Sequence, residues 1–399
     1  MLSPRNTIAN GSLPLDNSVH VGFVQDANFR STFDLVWSCL VTMALCTWTV
    51  QRPSVPSPSD SDSKVLLRKA AWAALTVAAP DALTLIAAEE FFGAREQVKR
   101  FHEHGYAWWT MSHAFFGYMG GYVLVYEDRR RTIVMEDQIL WLKEHEGFVV
   151  ETIPAKDIAG LAHVDGLSKT ITLMQLSYFL LSCLGRAIQH LDFSLFEVET
   201  LSFITTTLFT LFFWWHKPGD AETRYPIHAP ALSKSTVDMM LQCTAYSGRP
   251  KQLDTWLRAR MRLPSWNFPI HLAEGMATNI ALAPLVALSF GAWQYAAWHY
   301  SFPTPTEQLL FRIACVLSLA LPGLFVAAQV GVFVLLHFYF GSAAFATSLF
   351  SRRLSALAVG AWLYVLVRLF VMVEILVSLR SVPAGVYGVV QWSSYLPHF

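Results

Sequence analysis

The feature that most constrains this chain is a pair of apolar segments folded back on each other between Asp165 and Asp220. The stretch begins polar, with Asp165 and Lys169, and turns apolar from Ile171 to Leu184. It reverses through Arg186, His190, Asp192, Glu197 and Glu199, then returns through Leu201 to Trp215 and stops at His216-Lys217-Pro218. Two membrane-length segments joined by so few residues must pack antiparallel. Charge gathers at both ends of this hairpin and is absent from its middle.

Composition supports lipid as the solvent for much of the chain. Of 399 residues, 54% are hydrophobic and only 15% charged, where a soluble protein carries nearer a quarter. The 14 tryptophans suit interfacial belts and an apolar cavity. Zero net charge gives no reason to expect nucleic acid as a partner. The five cysteines, at 39, 46, 183, 243 and 315, form no CxxC pair, which argues against a zinc site or a disulfide framework.

The predicted class is all-α: an integral membrane helical bundle of six to seven spans with small cytosolic inserts. Residues 1–30 form a polar N-terminal segment with one glycosylation sequon, Asn10-Gly11-Ser12. Residues 31–50 form the first span, and a Pro/Ser/Asp linker follows. Within the region 51–166, the apolar stretch 70–92 is interrupted by Pro80-Asp81 and closed by Glu89-Glu90. A charge at mid-bilayer costs about 3 kcal/mol, so a re-entrant or partial helix is the cheaper arrangement. Tyr122–Tyr126, after Gly120-Gly121, reads as a short strand. The central hairpin occupies 167–215, a second polar insert 216–265, three further spans 266–380 and an aromatic interfacial tail 381–399. Pro322-Gly323 is expected to kink the long run from Leu309 to Phe340.

Arg and Lys crowd the linker at 51–69, the region 93–166, the insert 216–265 and Arg352-Arg353, but not the turns at 191–195 and 300–308. If 70–92 is re-entrant, every basic cluster is cytosolic. The expected topology is then six spans plus one partial insertion, with both termini lumenal in the endoplasmic reticulum. Seven spans remain the alternative.

Searches for chemistry exclude several classes. The chain has no Asp-Asp-x-x-Asp run to hold a diphosphate-bound metal. It also lacks histidine boxes, a G-x-S-x-G elbow, a P-loop and a dinucleotide-binding fingerprint. No cofactor is expected. What remains is a set of polar residues at the edges of apolar runs. Arg186, His190, Glu197 and Glu199 read most plainly as an ion-pair brace at the closed end of the hairpin. Trp214-Trp215-His216-Lys217 at the open end fits an interfacial anchor or a set of donors facing a cavity. His271 and Glu274, and then Trp293-Gln294 and Trp298-His299, flank the fifth apolar run. Such residues either cap helices or line an aromatic pocket. His337, deep in an apolar stretch, reads as a core histidine or as the base of a membrane acyltransferase.

A resemblance narrows these choices. Ser31-Thr32-Phe33-Asp34-Leu35-Val36-Trp37-Ser38-Cys39 and Leu45-Cys46-Thr47-Trp48-Thr49 resemble segments of a large fungal family of multi-pass membrane proteins. The likeness continues through His113–Gly121, Asp165–Lys169, Trp215–Pro218, Phe302-Pro303-Thr304 and Trp392–His398. Departures from the pattern are Gly219, where an apolar residue is usual, and Gln294, where a histidine is usual. Some members sit in natural-product pathways, and in kind the chain resembles norbornene-forming Diels–Alderases acting on terpenoids. That resemblance implies a cofactor-free cyclisation of a small hydrophobic substrate drawn from membrane lipid. A pericyclic step needs a shaped pocket and a hydrogen-bond donor at the dienophile carbonyl. The donor candidates are His113, Lys169, His216 and Lys217. The expected substrate-binding residues are Trp214, Trp215, Asp165, Trp293, Gln294 and Trp298. A multi-pass transporter or lipid-binding protein is one alternative, and an acyltransferase using His337 is the other. With the N-terminus lumenal, Asn10 should be glycosylated in a eukaryotic host, which a glycosidase-sensitive mass shift lost in Asn10→Gln would report; an unshifted chain contradicts that topology.

Overall fold

The computed structural model describes residues 20–24, 30–57, 60–127, 130–161, 165–245, 276–339 and 343–390. Asn10, His271, Glu274 and Trp392–His398 lie outside them, as do the side chains of Asp165 and His337. The chain is mainly helical, with a small sheet added to the expected all-α bundle. Four helical segments are long and apolar enough to cross a membrane: Gly166–Ile188, Leu195–Phe213, Pro305–Leu324 and Val359–Ser378. A fifth is reached if the bent pair Asp62–Ala78 and Pro80–Glu103 counts as one span.

Two compact units divide the chain. The first comprises residues Met1–Cys46, Thr170–Thr206 and Ala283–Phe399, and the second Thr47–Lys169 and Thr207–Leu282. In the first unit β1 (His20–Val21) pairs antiparallel with β5 (Val382–Pro383), and α1 (Thr32–Trp48) covers the segment expected as the first span but is not among the four. Its 17 residues reach only about 25 Å at 1.5 Å per residue, short of a full hydrocarbon core. Leu35, Cys39, Met43 and Cys46 recur along one buried stripe of it, at the spacing of a single helical face.

The hairpin forms as α7 (Asp165–Ile188) and α8 (Leu195–Phe213). Ser194-Leu195-Phe196-Glu197 caps α8 reciprocally: the Glu197 amide donates to Ser194 Oγ at 3.2 Å and the Ser194 amide to Glu197 Oε2 at 2.9 Å. The threonines of α8 would be unsatisfied in an apolar bundle, so they fold back on its own carbonyls. Thr205 donates to Leu201 O at 2.9 Å and Thr200 to Phe196 O at 2.8 Å. Arg186, near the end of α7, sits 3.6 Å from Glu197, near the start of α8. At the other end, Lys169 donates to the Trp215 carbonyl at 3.0 Å, just beyond α8. The two helices therefore run antiparallel.

The closed end is a buried knot of charge. Arg30 pairs with Glu197, and Arg186, 1% exposed, donates to the carbonyls of Asp192, Val386 and Gly388 at 2.5, 2.8 and 2.9 Å. It thereby ties the turn to the short 3-10 segment Ala384–Tyr387. Deeper in the unit Arg368 and Glu199 pair at 2.5 Å, both buried. The remaining long helices are α10 (Met276–Ala296), α11 (Pro305–Tyr339) and α12 (Ala343–Ser378). The helical assignment of α11 continues through Pro322.

In the second unit α2 (Asp62–Ala78) and α3 (Pro80–Glu103) meet at 110°. Pro80 lacks the amide that would continue α2, and its fixed φ suits the first turn of α3. Ala79 between them takes φ −150°, ψ 72°, outside the helical region. One turn on comes α4 (Met111–Tyr118), followed by β2 (Tyr122–Tyr126). Gly120 has φ +68°, and a Cβ on Gly121 would stand 2.5 Å from the Phe116 ring, so this tight return needs both glycines.

Strand β2 alternates buried and half-buried residues and forms the centre of a three-stranded sheet. It pairs antiparallel with β3 (Arg130–Val134), Tyr122 facing Val134, and parallel with β4 (Tyr225–Ala229), Tyr122 facing Tyr225. The two polar inserts on either side of the hairpin thus share one sheet. Around it pack α5 (Glu136–Glu146), α6 (Ala155–Gly160) and α9 (Lys234–Ala245), with a core including Phe101, Trp109, Phe116, Ile139 and Val237. The Arg186 knot gives a direct stability test. Arg186→Leu leaves Glu197 with Arg30 as its one remaining cation among the described residues and strands the carbonyls of Asp192, Val386 and Gly388. It should cost about 3 kcal/mol, seen as a lowered thermal midpoint of the purified chain; an unchanged midpoint contradicts the bracing role.

Candidate functional site

Beyond the last turn of α8, the backbone continues in turns for four residues. The Trp214 amide donates to Thr210 O at 2.9 Å, and the Lys217 amide to Trp214 O at 3.0 Å. Residues three apart on such a path share a face, so Trp214 and Lys217 point inward, each 3% exposed. Trp215 and His216 point outward. Pro218 follows and cannot continue a helical ladder.

The inward pair meets Glu90 of α3, itself 5% exposed. Glu90 Oε2 accepts from Trp214 Nε1 at 2.8 Å and from Lys217 Nζ at 2.6 Å. The Lys217 ammonium also lies 4.2 Å from the centroid of the Trp214 ring, a cation–π distance. Thr84 and Thr210 hydroxyls, 2.9 Å apart, tie α3 to α8 next to this constellation, and Phe91 packs on Phe213 at 5.7 Å. Each member is therefore set by a rigid element: Glu90 by α3 and the indole and ammonium by the end of α8.

These groups line a cleft of about 360 Å³ counted out to its open mouth. Its walls are Trp72 of α2, Leu83 and Ile86 of α3, Tyr118 and Met119 at the end of α4, and Trp214. Residues 51–54, with the buried Arg52, and Lys217 complete the lining. The space it leaves open is about that of one water molecule. Apolar walls with a few convergent polar groups are the usual make-up of a small-molecule site. Burial holds the Lys217 ammonium below the usual lysine value; Glu90 pulls the other way and Arg52 adds to the lowering.

The other expected residues fall elsewhere. His113 is fully buried inside α4. Its Nδ1 accepts from the Thr110 amide at 3.1 Å and lies 2.8 Å from the Thr110 hydroxyl, and its Nε2 donates to the Ile153 carbonyl at 2.8 Å. Both ring nitrogens are occupied in capping α4, and burial lowers its pKa from the usual histidine value. Lys169 caps the Trp215 carbonyl and lies 5.6 Å from that ring, on a half-exposed surface where an interfacial anchor would sit. His216 is exposed.

Trp293, Gln294 and Trp298 belong to the first unit. Trp293 Nε1 donates to Thr205 Oγ1 at 2.9 Å. Trp298 stacks on Tyr295 at 5.4 Å. Gln294 is 2% exposed, and its amide group has no hydrogen-bond partner among the described residues. The cleft thus brings together two of the ten expected site residues, Trp214 and Lys217. It adds Glu90, whose signal was a carboxylate closing an apolar run, a position that calls for a buried cation. Among the described residues no group of three or more His, Cys, Asp or Glu is placed to hold a metal ion.

With this geometry in hand, comparison with known proteins gives one result. A family model described as a family of unknown function (DUF8562) matches residues 9–268 and 274–399. The chain belongs to that family. No curated protein and no solved structure matches it.

The capping role of His113 has a pH signature. Its folded pKa lies below the unfolded value of about 6.5, so the stability it contributes is present above that value and is lost as pH falls toward the folded one. The thermal midpoint of the chain should drop between pH 7.5 and pH 5.5, and His113→Asn should flatten that drop while lowering the midpoint at pH 7.5. An equal acid drop in the variant contradicts the assignment.

Proposed function

We propose that this chain is a membrane-embedded enzyme that folds a lipid-soluble polyene bearing a carbonyl group into the cleft at the end of α8. There it closes a ring without a cofactor, by an intramolecular Diels–Alder-type addition of the norbornene-forming kind. The observation that carries the reading is the cleft itself: apolar and aromatic walls converge on buried cations, Arg52 and Lys217, the second held by Glu90 and Trp214.

The chemistry asks for little more. Holding diene and dienophile in a near-attack pose replaces a costly encounter with an effective molarity that can reach about 10⁵ M or more. As the new bonds form, negative charge grows on the dienophile carbonyl, and a fixed ammonium beside it stabilises that charge more than it stabilises the ground state. Trp72, Trp214 and Tyr118 line the cleft and would fold the polyene once their side chains part to admit it. The sequence resemblance to the norbornene-forming Diels–Alderase of sordarin biosynthesis points the same way.

The full arrangement we propose has six spans and a partial insertion formed by α2 and α3, with both termini in the lumen of the endoplasmic reticulum. The substrate would then reach the cleft from the bilayer. Lipid binding or transport without turnover is the second reading, favoured by the open space of the cleft, which is about that of one water and small for a folded polyene.

The test is expression in yeast and incubation of microsomes with polyunsaturated terpenoid aldehydes. The expected result is an isomeric product of unchanged mass, formed about 10²-fold more slowly by Lys217→Met and within a few-fold of the native rate by His216→Ala. No difference in rate or stereochemistry from empty microsomes across the panel overturns the enzyme reading.

A further inference from the structure

The cleft holds an amine in a setting that does more than donate a hydrogen bond. Lys217 lines a cleft whose open space is about that of one water molecule, and its Nζ lies 2.6 Å from a carboxylate oxygen of Glu90, a residue 5% exposed. The ammonium stands over an indole ring and lines the same cleft as Trp72, Leu83 and Ile86. An exposed lysine is solvated and protonated, and so is a poor nucleophile. A lysine desolvated in an apolar pocket, with a carboxylate in contact to take its proton, is the arrangement that enzymes use to form Schiff bases.

From this geometry we propose that Lys217 is a covalent catalyst, condensing with the carbonyl group of an apolar α,β-unsaturated aldehyde or ketone to give a conjugated iminium, with Glu90 moving the proton. The inference rests on the carbonyl substrate of the proposed function and adds the bond through which it is activated.

The step balances within the cleft. Glu90 takes one proton from the Lys217 ammonium, leaving a neutral amine beside a neutral carboxylic acid. In a low-dielectric site that state avoids the desolvation cost of two separate charges. Nζ attacks the carbonyl carbon; the C–N bond forms as the carbonyl electron pair moves to oxygen. A second Nζ proton passes to that oxygen, giving the carbinolamine. Glu90 returns its proton to the hydroxyl as the C–O bond breaks, and water leaves. The sum is one ammonium and one carbonyl compound giving one iminium and one water, with Glu90 regenerated. Charge is conserved and no oxidant or reductant is required. The iminium draws electron density from the conjugated double bond far more strongly than a hydrogen bond to the carbonyl, which is what a dienophile needs. After ring closure, water reverses the condensation and frees the product.

Burial of Lys217 lowers its pKa, the direction that favours the neutral amine. The Trp214 indole, which also donates to Glu90 Oε2, keeps that carboxylate aimed at Nζ and so acts as a positioning residue.

The test uses the purified full-length chain in nanodiscs with trans,trans-farnesal, an unsaturated terpenoid aldehyde, and sodium cyanoborohydride to reduce any imine to a stable amine. Peptide mapping reads the adduct at each lysine. The expected result is modification of Lys217 at least tenfold faster at pH 7 than of the exposed Lys64, Lys99, Lys156 and Lys234. Its rate should also reach its plateau at lower pH than theirs. A Lys217 adduct that forms no faster than at the exposed lysines, or never forms, overturns the covalent role. The two proposals fail separately. Cyclisation without a Lys217 adduct leaves the enzyme standing with a hydrogen-bonding lysine. An adduct without cyclisation keeps the carbonyl site and removes the pericyclic reaction.

Discussion

An ionised side chain withdrawn from water must keep an opposite charge within reach, and the architecture of this chain is arranged around that requirement. Moving a carboxylate or ammonium into an apolar interior costs several kcal/mol per ion even after relaxation, and removing one partner from a buried pair typically costs 3–5 kcal/mol. In the first unit Glu197 is held by Arg30 and Arg186, and Glu199 by Arg368. In the second unit Glu90 is held by Lys217. Each pairing fixes the relative position of two elements far apart in sequence, which apolar packing alone would specify less sharply. Two of the three glutamates lie on α8, and the lysine that holds the third follows its end.

The three arrangements differ in what surrounds them. Arg186 is saturated by carbonyls of the turn and the C-terminal segment, and that is the signature of a brace. Arg368 lies over Phe290 at 4.1 Å inside a helical core. Lys217 and Glu90 instead line a cleft with an open mouth. Since a buried ion pair often does no better for stability than apolar residues of the same size, its retention at the wall of a cleft calls for another reason. A reactive amine and its proton carrier supply one.

Much of this was legible in residue pattern. The apolar runs around a charged turn marked the hairpin. Pro80-Asp81 marked the break between α2 and α3, and the short run Tyr122–Tyr126 after Gly120-Gly121 marked the central strand. What pattern could not show is pairing at long range. Strand β4 lies about a hundred residues from β2 in sequence, contains Pro226 and has no turn linking it to a partner, so only the folded chain reveals the parallel ladder. The same limit applied to the site. Trp214 and Lys217 stood out at the edge of an apolar run, but the partner that gives them meaning, Glu90, lies 127 residues from Lys217. His113 drew attention as a donor candidate at the head of the family-like segment His113–Gly121; its ring closes the first turn of α4, a role set by Thr110 three residues earlier.

The measurement that bears most directly on the central claim separates stability from chemistry at the cleft. In the double variant Glu90→Gln, Lys217→Met the charges are removed together, while the amide oxygen can still accept from Trp214. If the pair exists for chemistry, the double variant should unfold within a few degrees of the native chain, or above it, and have lost its turnover of carbonyl-bearing polyenes. A thermal midpoint that falls as far as that of either single variant would make the pair a structural brace and contradict the account.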